Sequence, residues 1–495
     1  MTPVDSDVAA ASGLDAGAAY DAIVSRDRRF DGRLWFGVTS TGIYCRPVCP
    51  AQTPLRANVR FFAVPAAAVS AGFRACKRCR PDSAPGSRHW DHRHDLTAQA
   101  LRLIADGVVD DAGVAGLAAT LHVSERHIHR TLVAEVGAGP LQLAQSRRAQ
   151  TARMLLEQTD LPVSDVAFAA GFSSIRQFND VMKREFGSPP STLRRPTAPA
   201  LDAADPILIL RLRVRPPYDV DHVGEFLAAR AISGLEVHTR TSTGWSHRRI
   251  IALPSRPAAV EVSVLDEHVV VRSDGDVRDS AQLVHKVQQW LDLNADPESI
   301  NDVLSRDVVL RPLVESRPGM RVPTTVDPWE TLIRAIVGQQ VSVSGATTVL
   351  GRLVAATRPQ DETGLAAFPC ADAVAELGAD RIAQLGMPGA RARTIAGVAE
   401  AIASRNIDLR DPDTAAVRSS LLAMPGLGPW TVDYVRMRGL GDPDAFPETD
   451  LILKQNAKRL GLPDNARALA NYSRVWSPWR AYAAHHIWSL PKEQR

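Results

Sequence analysis

The stretch Leu421–Gly441, LLAMPGLGPWTVDYVRMRGLG, contains a Pro-Gly-Leu-Gly turn between two amphipathic segments. It predicts two helices joined by a hairpin, because glycine ends the first helix and Pro429 suits the first turn of the second. Backbone N–H groups around Gly426 and Gly428 can then bind a phosphate at the start of that second helix. Most such turns merely connect two helices, so a connecting role and a phosphate-binding role both stay open.

Asp450 follows Gly428 by 22 residues, in the segment FPETDLILKQ, where it fits the first position of a helix. A plain N-cap is one interpretation of this carboxylate. The aromatic residues favour a chemical role, since Trp430 and Tyr434 are four residues apart and share one helical face. Trp488 adds a third large ring in a chain that is only 5% aromatic. The second interpretation is therefore a pocket in which a carboxylate lies beside aromatic faces.

The C-terminal half resembles the helix-hairpin-helix glycosylase superfamily, and specifically the AlkA-type 3-methyladenine DNA glycosylases. The resemblance spans roughly Ile207–Leu490 and rests on the hairpin, PPYDVDHVGEFLAARAISGLE, VDPWETLIRAIVGQQVSV and WSPWRAYAAHHIW. It implies that Asp450 drives excision of alkylated bases such as 3-methyladenine and 7-methylguanine. The base-pocket residues that it implies are Phe226, Arg230, Trp430, Tyr434 and Trp488, and the residues of the loop that enters the duplex are Gln339 and Gln340.

Two positions depart from patterns of that superfamily. Gln340 stands where an AlkA-type relative has a leucine wedge, which leaves open how the gap in the duplex is filled. Trp430 stands where members that also cut the DNA strand have a lysine. Because strand cleavage needs an amine nucleophile, we expect a monofunctional glycosylase without lyase activity.

Four of the five cysteines form two close pairs, Cys45/Cys49 and Cys76/Cys79, separated by 26 residues. This spacing predicts a tetrahedral Zn²⁺ site made of four thiolates. Such sites are usually only structural, but zinc-bound thiolates are also nucleophilic, and basic residues surround this cluster. Those basic residues are Arg46, Arg74, Lys77, Arg78 and Arg80.

The segment Arg33–Asp82 around these cysteines resembles the N-terminal zinc domain of Ada adaptive-response proteins. The resemblance implies that Cys45 irreversibly accepts a methyl group from a methylphosphotriester in DNA, with Cys49, Cys76 and Cys79 as supporting ligands. The fifth cysteine, Cys370, lacks the Pro-Cys-His context of the Ada methyltransferase domain. We therefore expect an ordinary buried thiol there and no direct repair of O-alkylated guanine.

Two tandem segments, VAGLAATLHVSERHIHRTLVAEVG and VSDVAFAAGFSSIRQFNDVMKREFG, each predict a helix-turn-helix. Ser124 suits the N-cap of one second helix, and Ser173 or Ser174 that of the other. A plain helical bundle is the alternative, but the tandem arrangement resembles the AraC-type DNA-binding domain. The expected DNA contacts are Arg126, His127, Arg130, Arg176 and Gln177.

Together these motifs predict a multidomain α+β protein. The expected order is a flexible tail (1–20), a small zinc and methyl-acceptor domain (21–95), an all-α double helix-turn-helix (96–196), a linker (197–206), a mixed α/β sheet domain (207–290) and an all-α helix-hairpin-helix glycosylase domain (291–495). Composition agrees, since 45% hydrophobic and 23% charged residues are typical of globular chains.

The charge distribution and the number of cysteines indicate which partners and which cellular compartment to expect. Residues 1–200 carry 24 lysines and arginines against 19 acidic residues, which favours binding to a polyanion. Apolar runs are far shorter than a membrane helix requires, and no signal peptide is predicted. The small number of cysteines favours the reducing cytosol.

We expect a cytoplasmic, nucleoid-associated protein whose partners are double-stranded DNA and RNA polymerase. The rival hypothesis is a transcription factor with a zinc sensor and a non-catalytic C-terminal module.

Overall fold

The computed structural model of the chain describes residues 16–27, 30–79, 81, 96–194, 207–265, 268–357, 364–411 and 413–491. Two compact units make up the chain, Met1–Arg213 with Asp276–His285, and Val214–Gly275 with Lys286–Arg495. The expected tail up to residue 15, Arg80 and the linker 197–206 lie outside the described residues. Within the described residues, no helix has both the length and the apolar character needed to span a membrane.

A four-stranded sheet in the first unit carries the cysteine cluster. Its strands are β1 (Trp35–Val38), β2 (Ile43–Cys45), β3 (Val59–Phe62) and β4 (Arg74–Ala75), in the spatial order β3–β1–β2–β4. The helices of this region are α1 (Ala16–Val24) and α2 (Pro65–Ser70). Antiparallel pairing places Phe36 of β1 between Cys45 and Phe61. The apolar side chains and the four cysteines share one buried core, so the sheet holds the thiols in place.

The next part of the first unit is helical, as the sequence predicts. Its helices are α3 (Leu96–Ala105), α4 (Val108–Thr120), α5 (Glu125–Val136), α6 (Pro140–Gln158), α7 (Val163–Ala169), α8 (Ile175–Phe186) and α9 (Pro190–Leu193). The predicted cap at Ser124 is confirmed, and Ser174 rather than Ser173 caps α8; each hydroxyl accepts the backbone N–H three residues later at 3.2 Å. Both helices end at a left-handed glycine, Gly137 or Gly187.

An antiparallel sheet forms the start of the second unit. Its strands β6 (Glu236–Thr241), β7 (Gly244–Ile251), β8 (Ala258–Leu265) and β9 (His268–Ser273) pair in sequence order, and α10 (Val220–Arg230) precedes them. Strand β5 (Leu208–Arg213) belongs to the first unit. Hydropathy did not indicate β7, because its buried positions include His247 and Arg249 as well as Trp245.

Helices build the remainder of the chain. They are α11 (Ser280–Trp290), α12 (Pro297–Leu304), α13 (Arg311–Ser316), α14 (Pro328–Val337), α15 (Val343–Thr357), α16 (Ala371–Gln384), α17 (Gly389–Ala403), α18 (Thr414–Leu422), α19 (Pro429–Arg438), α20 (Leu451–Arg459), α21 (Ala466–Tyr472) and α22 (Arg480–Trp488). Leu332 and Ile336 of α14 and Val432 and Val435 of α19 belong to one buried core. This packing brings the loop after α14 beside the hairpin between α18 and α19.

Four charged residues, three of them buried, tie the sheet of the second unit to α14. Arg249 of β7 contacts Glu236 at 2.9 Å and Glu330 at 2.5 Å, and Arg334 contacts Glu236 at 2.9 Å. Burial alone would raise the pKa of Glu236, but Arg334 and Arg249 hold it well below its usual range. Arg334 also donates to the backbone oxygen of Arg230 at 2.8 Å, so the network fixes the end of α10.

Cys370 differs from the expectation of a buried thiol. It is exposed and is the N-cap residue of α16. Its neighbour Pro369 is the buried residue, and the carbonyl oxygen of Pro369 accepts the indole N–H of Trp329 at 2.8 Å. An N-cap side chain lies at the end of a helix rather than on its packed face, so the prediction was wrong.

Candidate active site and zinc centre

Asp450 is the N-cap of α20 and is also bound by two tryptophans. Its Oδ1 accepts the backbone N–H of Leu453 at 2.7 Å and the indole N–H of Trp488 at 3.0 Å. Its Oδ2 accepts the indole N–H of Trp430 at 2.7 Å. The carboxylate remains partly exposed. The structure therefore shows the N-cap role, and the two indoles give the same carboxylate further partners that a cap does not need.

Trp430 and Tyr434 form a stacked pair on α19. Their ring centroids are 5.5 Å apart and their planes are inclined by 26°, which confirms that they share one helical face. Burial opposes ionisation of Tyr434, but Arg438 and Arg230 lower the pKa of its phenol below the usual value. Aromatic surface thus lies directly beside the carboxylate of Asp450.

Two guanidinium groups lie over the ring of Phe226 on α10. The guanidinium carbons of Arg230 and Arg438 are each 3.8 Å from the ring centroid. Cation–π attraction to the phenyl ring holds both guanidinium groups against it. The structure thus places Phe226 and Arg230 near Tyr434, but the π surface of Phe226 is already in contact with cations.

The hairpin has the geometry that the glycines predict. Gly426 has φ of 87°, and a Cβ there would lie 2.0 Å from the hydroxyl of Thr394, so glycine is required. Gly428 is the N-cap of α19 and a Cβ there would meet open space. Since Pro429 follows as the first helical residue, the next backbone N–H groups stand at the start of a ten-residue helix. This arrangement can bind a phosphate oxygen.

The two glutamines after α14 have different environments. The amide nitrogen of Gln339 donates to the backbone oxygen of Gly426 at 3.1 Å and to the hydroxyl of Thr431 at 2.9 Å. Its backbone oxygen accepts from Arg391. Gln340 is exposed and has φ of 56°, a conformation that is uncommon for a residue with a side chain. Gln339 therefore fastens the loop to the hairpin, whereas Gln340 projects from it.

The four cysteine thiols of the first unit converge on one point. Their sulfur atoms all lie within 4.8 Å of one another, and all four residues are buried. A tetrahedral Zn²⁺ with bonds of about 2.3 Å separates its sulfurs by about 3.8 Å, so the cluster fits zinc. Without a bound cation, hydrogen bonding with the neighbouring thiols, first that of Cys49, raises the pKa of Cys45, whereas a bound metal ion favours the thiolate.

The expected DNA-contact residues of the helix-turn-helix segments lie mostly on the surface. Arg126, His127 and Arg130 of α5 and Arg176 of α8 are exposed, and Gln177 is half-buried. A nitrogen of Arg130 lies 3.5 Å from a ring nitrogen of His127. The structure therefore leaves the two capped helices with polar faces that can contact a DNA groove.

Arg438 and His485 also lie at the candidate site, in contact with Phe226 and Trp488, and the sequence analysis missed them. Arg438 follows Tyr434 by four residues and Trp430 by eight, so the helical periodicity that identified the aromatic pair could have identified it. His485 precedes Trp488 by three residues on α22 and packs against it, with ring centroids 5.4 Å apart. The pattern Trp-x3-Tyr-x3-Arg was the available signal.

Family models match four successive parts of the chain. The "Metal binding domain of Ada" matches residues 18–82, and the "Helix-turn-helix domain" matches residues 117–196. The "AlkA N-terminal domain" matches residues 209–327, and the "HhH-GPD superfamily base excision DNA repair protein" model matches residues 333–480. The expected fold class is confirmed, and the thiol cluster is the four-cysteine Zn²⁺ site of the Ada metal-binding domain.

The relatives combine the same parts. The chain is 46% identical, over 95% of both sequences, to a Mycobacterium tuberculosis protein described as "Probable bifunctional transcriptional activator/DNA repair enzyme AlkA". It is 30% identical to DNA-3-methyladenine glycosylase 2 of Escherichia coli, over 56% of this chain and 95% of the relative. A solved 3-methyladenine DNA-glycosylase from Archaeoglobus fulgidus shares the fold, with a TM-score of 0.50, 20% identity and coverage of 56% of this chain and 96% of that chain. The chain belongs to the family of bifunctional Ada–AlkA transcriptional activator and DNA repair proteins.

Proposed function

We propose that the protein excises alkylated bases from double-stranded DNA and also accepts methyl groups from DNA methylphosphotriesters to regulate transcription. The observation that carries the first activity is the pair of indole N–H groups directed at Asp450, at 2.7 and 3.0 Å. A carboxylate needed only to cap α20 would require the backbone N–H of Leu453 alone. The additional donors and the neighbouring aromatic surface support an active site.

Excision breaks the bond between C1′ of the sugar and a ring nitrogen of the base. A base alkylated on a ring nitrogen is cationic, so it leaves as a neutral base with the bonding electron pair. The positive charge that develops on the sugar is stabilised by the carboxylate of Asp450. Water then adds its oxygen to C1′ and gives up a proton to Asp450 or to solvent. No acid is needed to protonate the departing base.

The extruded base is held by Trp430, Tyr434 and Trp488. Flipping a base out of the duplex costs a few kcal/mol, and aromatic faces repay part of this by stacking on a flat cation. Phe226 and Arg230 form the opposite edge, where the guanidinium of Arg230 competes with the base for contact with the phenyl ring. The hairpin at Gly426 and Gly428 supplies phosphate contacts that position the strand.

The loop after α14 fills the gap that the base leaves. Gln340 is exposed at its tip, and the adjacent Val341 is 44% exposed, so both side chains are accessible. We assign insertion into the duplex to these two residues. Gln339 holds the loop on the hairpin through Gly426 and Thr431.

Glycosylase action without strand cleavage follows from the side chains around Asp450. Trp430 has no amine that could form a Schiff base with the sugar. The lysines nearest in sequence to Asp450 are Lys454 and Lys458, on α20, and Lys458 is exposed and contacts Asp464 at 3.4 Å. The product should therefore be an intact strand with an abasic site.

Methyl transfer would use Cys45. Its thiolate attacks the methyl carbon, the carbon–oxygen bond of the phosphotriester breaks, and the phosphate oxygen keeps the electron pair. Bound zinc keeps the four thiols ionised at neutral pH, while Cys49, Cys76 and Cys79 hold the reacting sulfur in place. The product is a neutral thioether, so the charge of the four-thiolate site changes from −2 to −1. Less negative charge near DNA phosphates favours tighter binding.

The helix-turn-helix segments would read promoter DNA in the regulatory role. Arg126, His127 and Arg130 of α5 enter one groove, and Arg176 and Gln177 of α8 enter another. Substitution of Arg126 and Arg176 with alanine should weaken binding to duplex DNA and reduce its dependence on salt. RNA polymerase is the proposed protein partner of this activator, and the proposed location is the cytoplasmic nucleoid.

One experiment separates this proposal from a transcription factor with a non-catalytic C-terminal module. The full chain is incubated with duplex DNA that contains 7-methylguanine, and free base is measured by chromatography. Release by wild-type protein, and its loss in Asp450→Asn, supports the glycosylase. DNA binding without release of base at any enzyme concentration supports the non-catalytic module.

A further inference from the structure

Arg438 is a buried cation without a carboxylate partner. It is 5% exposed, it makes no ion pair among the residues that the structure describes, and its Nε has no hydrogen-bond partner. Burial lowers the pKa of its guanidinium. An unpaired buried charge is costly, so this position is expected to have a role that a neutral side chain would not fill.

The neighbours of Arg438 belong to the base pocket. Its guanidinium carbon lies 3.8 Å from the ring centroid of Phe226, and it is the first of the charges that lower the pKa of Tyr434. One terminal nitrogen, Nη1, lies 3.4 Å from Nε2 of His485. Arg438 thus connects α19, which carries Tyr434, to α10 and α22.

The contact with His485 fixes the proton on that imidazole. Burial and then Arg438 hold the pKa of His485 well below its usual range, so the ring is neutral. Arginine can only donate; Nε2 of His485 must therefore accept, and Nδ1 carries the proton. This Nδ1–H donates to Nε2 of His222 at 3.3 Å, and burial lowers the pKa of His222 to about 4.

His485 in turn packs against Trp488. The two rings meet edge to face, with centroids 5.4 Å apart and planes inclined by 73°. Trp488 donates its indole N–H to Asp450 at 3.0 Å. A continuous set of contacts therefore leads from Arg438 through His485 and Trp488 to the carboxylate.

We propose that Arg438 is a positioning residue of the base pocket. It holds Phe226 by stacking and, through His485, fixes the orientation of Trp488 toward Asp450. This inference rests on the glycosylase function proposed above. It requires that Arg438 affects bond cleavage through Trp488 and leaves binding to undamaged DNA unchanged.

A double-mutant cycle tests this link. Excision of 7-methylguanine is measured in single turnover with the full chain in excess, for Arg438→Met, Trp488→Phe and the double variant. Each single change should slow cleavage about 10- to 100-fold, the range expected when a hydrogen bond to a charged group is lost. Because the two residues act in one path, the double variant should be within about 3-fold of the slower single variant.

Arg436→Met is the matched control on the same helix. Arg436 is paired with Asp433 at 3.0 Å and Asp442 at 2.6 Å, so its loss should affect stability but change the cleavage rate less than about 3-fold. Multiplicative effects of Arg438→Met and Trp488→Phe would overturn the proposal, and so would an unchanged rate in Arg438→Met.

Two further measurements keep the test decisive. If Arg438→Met does not fold, Arg438→Lys keeps the charge but lacks the planar group that stacks on Phe226, and wild-type cleavage by this variant would overturn the proposal. The tautomer of His485, read from nitrogen-15 spectra, should be Nδ1–H in wild type and mixed in Arg438→Met, because methionine has no N–H to donate to Nε2. If the wild type releases no base, the proposed glycosylase function fails. If the tautomer of His485 is the same in Arg438→Met as in wild type, the role of Arg438 is rejected independently of that function.

Discussion

The indole nitrogen of Trp430 lies 2.7 Å from Oδ2 of Asp450, and both residues stand at the start of a helix. Helix α19 therefore presents a donor to the carboxylate at the position where strand-cleaving members of the superfamily carry a lysine. The carboxylate also lies at the N-terminus of α20, where the helix dipole is positive. The carboxylate of Asp450 thus accepts three hydrogen bonds and has no amine beside it in the hairpin.

Asp450→Asn should abolish most excision while preserving the fold. Asparagine is as good an N-cap as aspartate, so the backbone contact with Leu453 can persist. Loss of one electrostatic stabiliser typically costs about 3–4 kcal/mol, or about 100- to 1000-fold in rate. Single-turnover release of 3-methyladenine measures the effect, with Asp413→Asn as the control, because Asp413 caps α18 on an exposed surface. A near wild-type rate in Asp450→Asn would leave only the N-cap role.

Trp430→Phe should separate stacking from carboxylate orientation. Phenylalanine can still stack on Tyr434, but it cannot donate to Asp450. We expect the cleavage rate to fall about 10- to 100-fold, since hydrogen bonds to charged groups contribute about 1.5–3 kcal/mol. Affinity for duplex DNA containing a stable abasic-site analogue should stay within about 3-fold of wild type, because the phosphate contacts of the hairpin are unchanged. Equal losses of affinity and rate would show that the indole serves binding instead.

Sequence patterns predicted the elements whose periodicity is carried by apolar side chains. The helices that flank Gly426 and the capped helices after Ser124 and Ser174 follow such patterns. Strand β7 did not, because the charge of Arg249 is neutralised by Glu236 on the neighbouring strand β6 and by Glu330, which lies 81 residues later in the sequence. Pairing of this kind depends on tertiary packing and leaves no local signal.

The candidate site was predicted only in part, because some of its contacts also depend on tertiary packing. Motif spacing placed Asp450 beside Trp430, and the structure brings them within hydrogen-bonding distance. The contact of Phe226 with Arg438 joins α10 to α19, which are about 200 residues apart in sequence. Arg438 continues the four-residue spacing of Trp430 and Tyr434, but it also resembles an ordinary helix-ending cation, and only the fold shows that it is buried.

Cys45→Ser should prevent methyl transfer. Duplex DNA that contains methylphosphotriesters should add about 14 mass units, one CH2 group, to the wild-type peptide that contains Cys45, because its thiolate is the proposed nucleophile. Peptide mass spectrometry of the full chain locates the methyl group. Cys370→Ser is the control, since this exposed thiol is outside the zinc cluster, and transfer should continue. A methyl group on Cys76, or on none of the four ligands, would reject the assignment.

Strand cleavage should be absent. After incubation with alkylated DNA, strands should stay intact until alkali is added, because Trp430 cannot form a Schiff base. Borohydride should trap no covalent adduct with the C-terminal half, whereas a lysine-dependent glycosylase run in parallel should be trapped. Adduct formation that disappears in Lys454→Ala would overturn the monofunctional assignment and identify the amine.

His486→Leu should reduce the loss of stability in acid. His486 is fully buried on α22, neither ring nitrogen has a hydrogen-bond partner, and burial followed by His222 and Arg317 lowers its pKa to about 3. Between pH 6.5 and 3 the unfolded chain therefore binds the proton that the folded chain excludes, and stability falls as pH falls.

At pH 5 this linkage corresponds to about 2 kcal/mol for one histidine. The leucine variant should therefore gain up to about that much unfolding free energy at pH 5, relative to its effect at pH 7.5. Protonation of His222 also lowers the free energy of unfolding in acid, in the wild type and in His486→Leu alike. Asp292 opposes it, since burial raises its pKa to about 6 and the folded chain binds its proton more tightly. Denaturant unfolding at the two pH values measures the difference, and His129→Leu on the exposed face of α5 serves as the control. An equal effect of His486→Leu at both pH values would show that protonation of His486 does not limit acid stability.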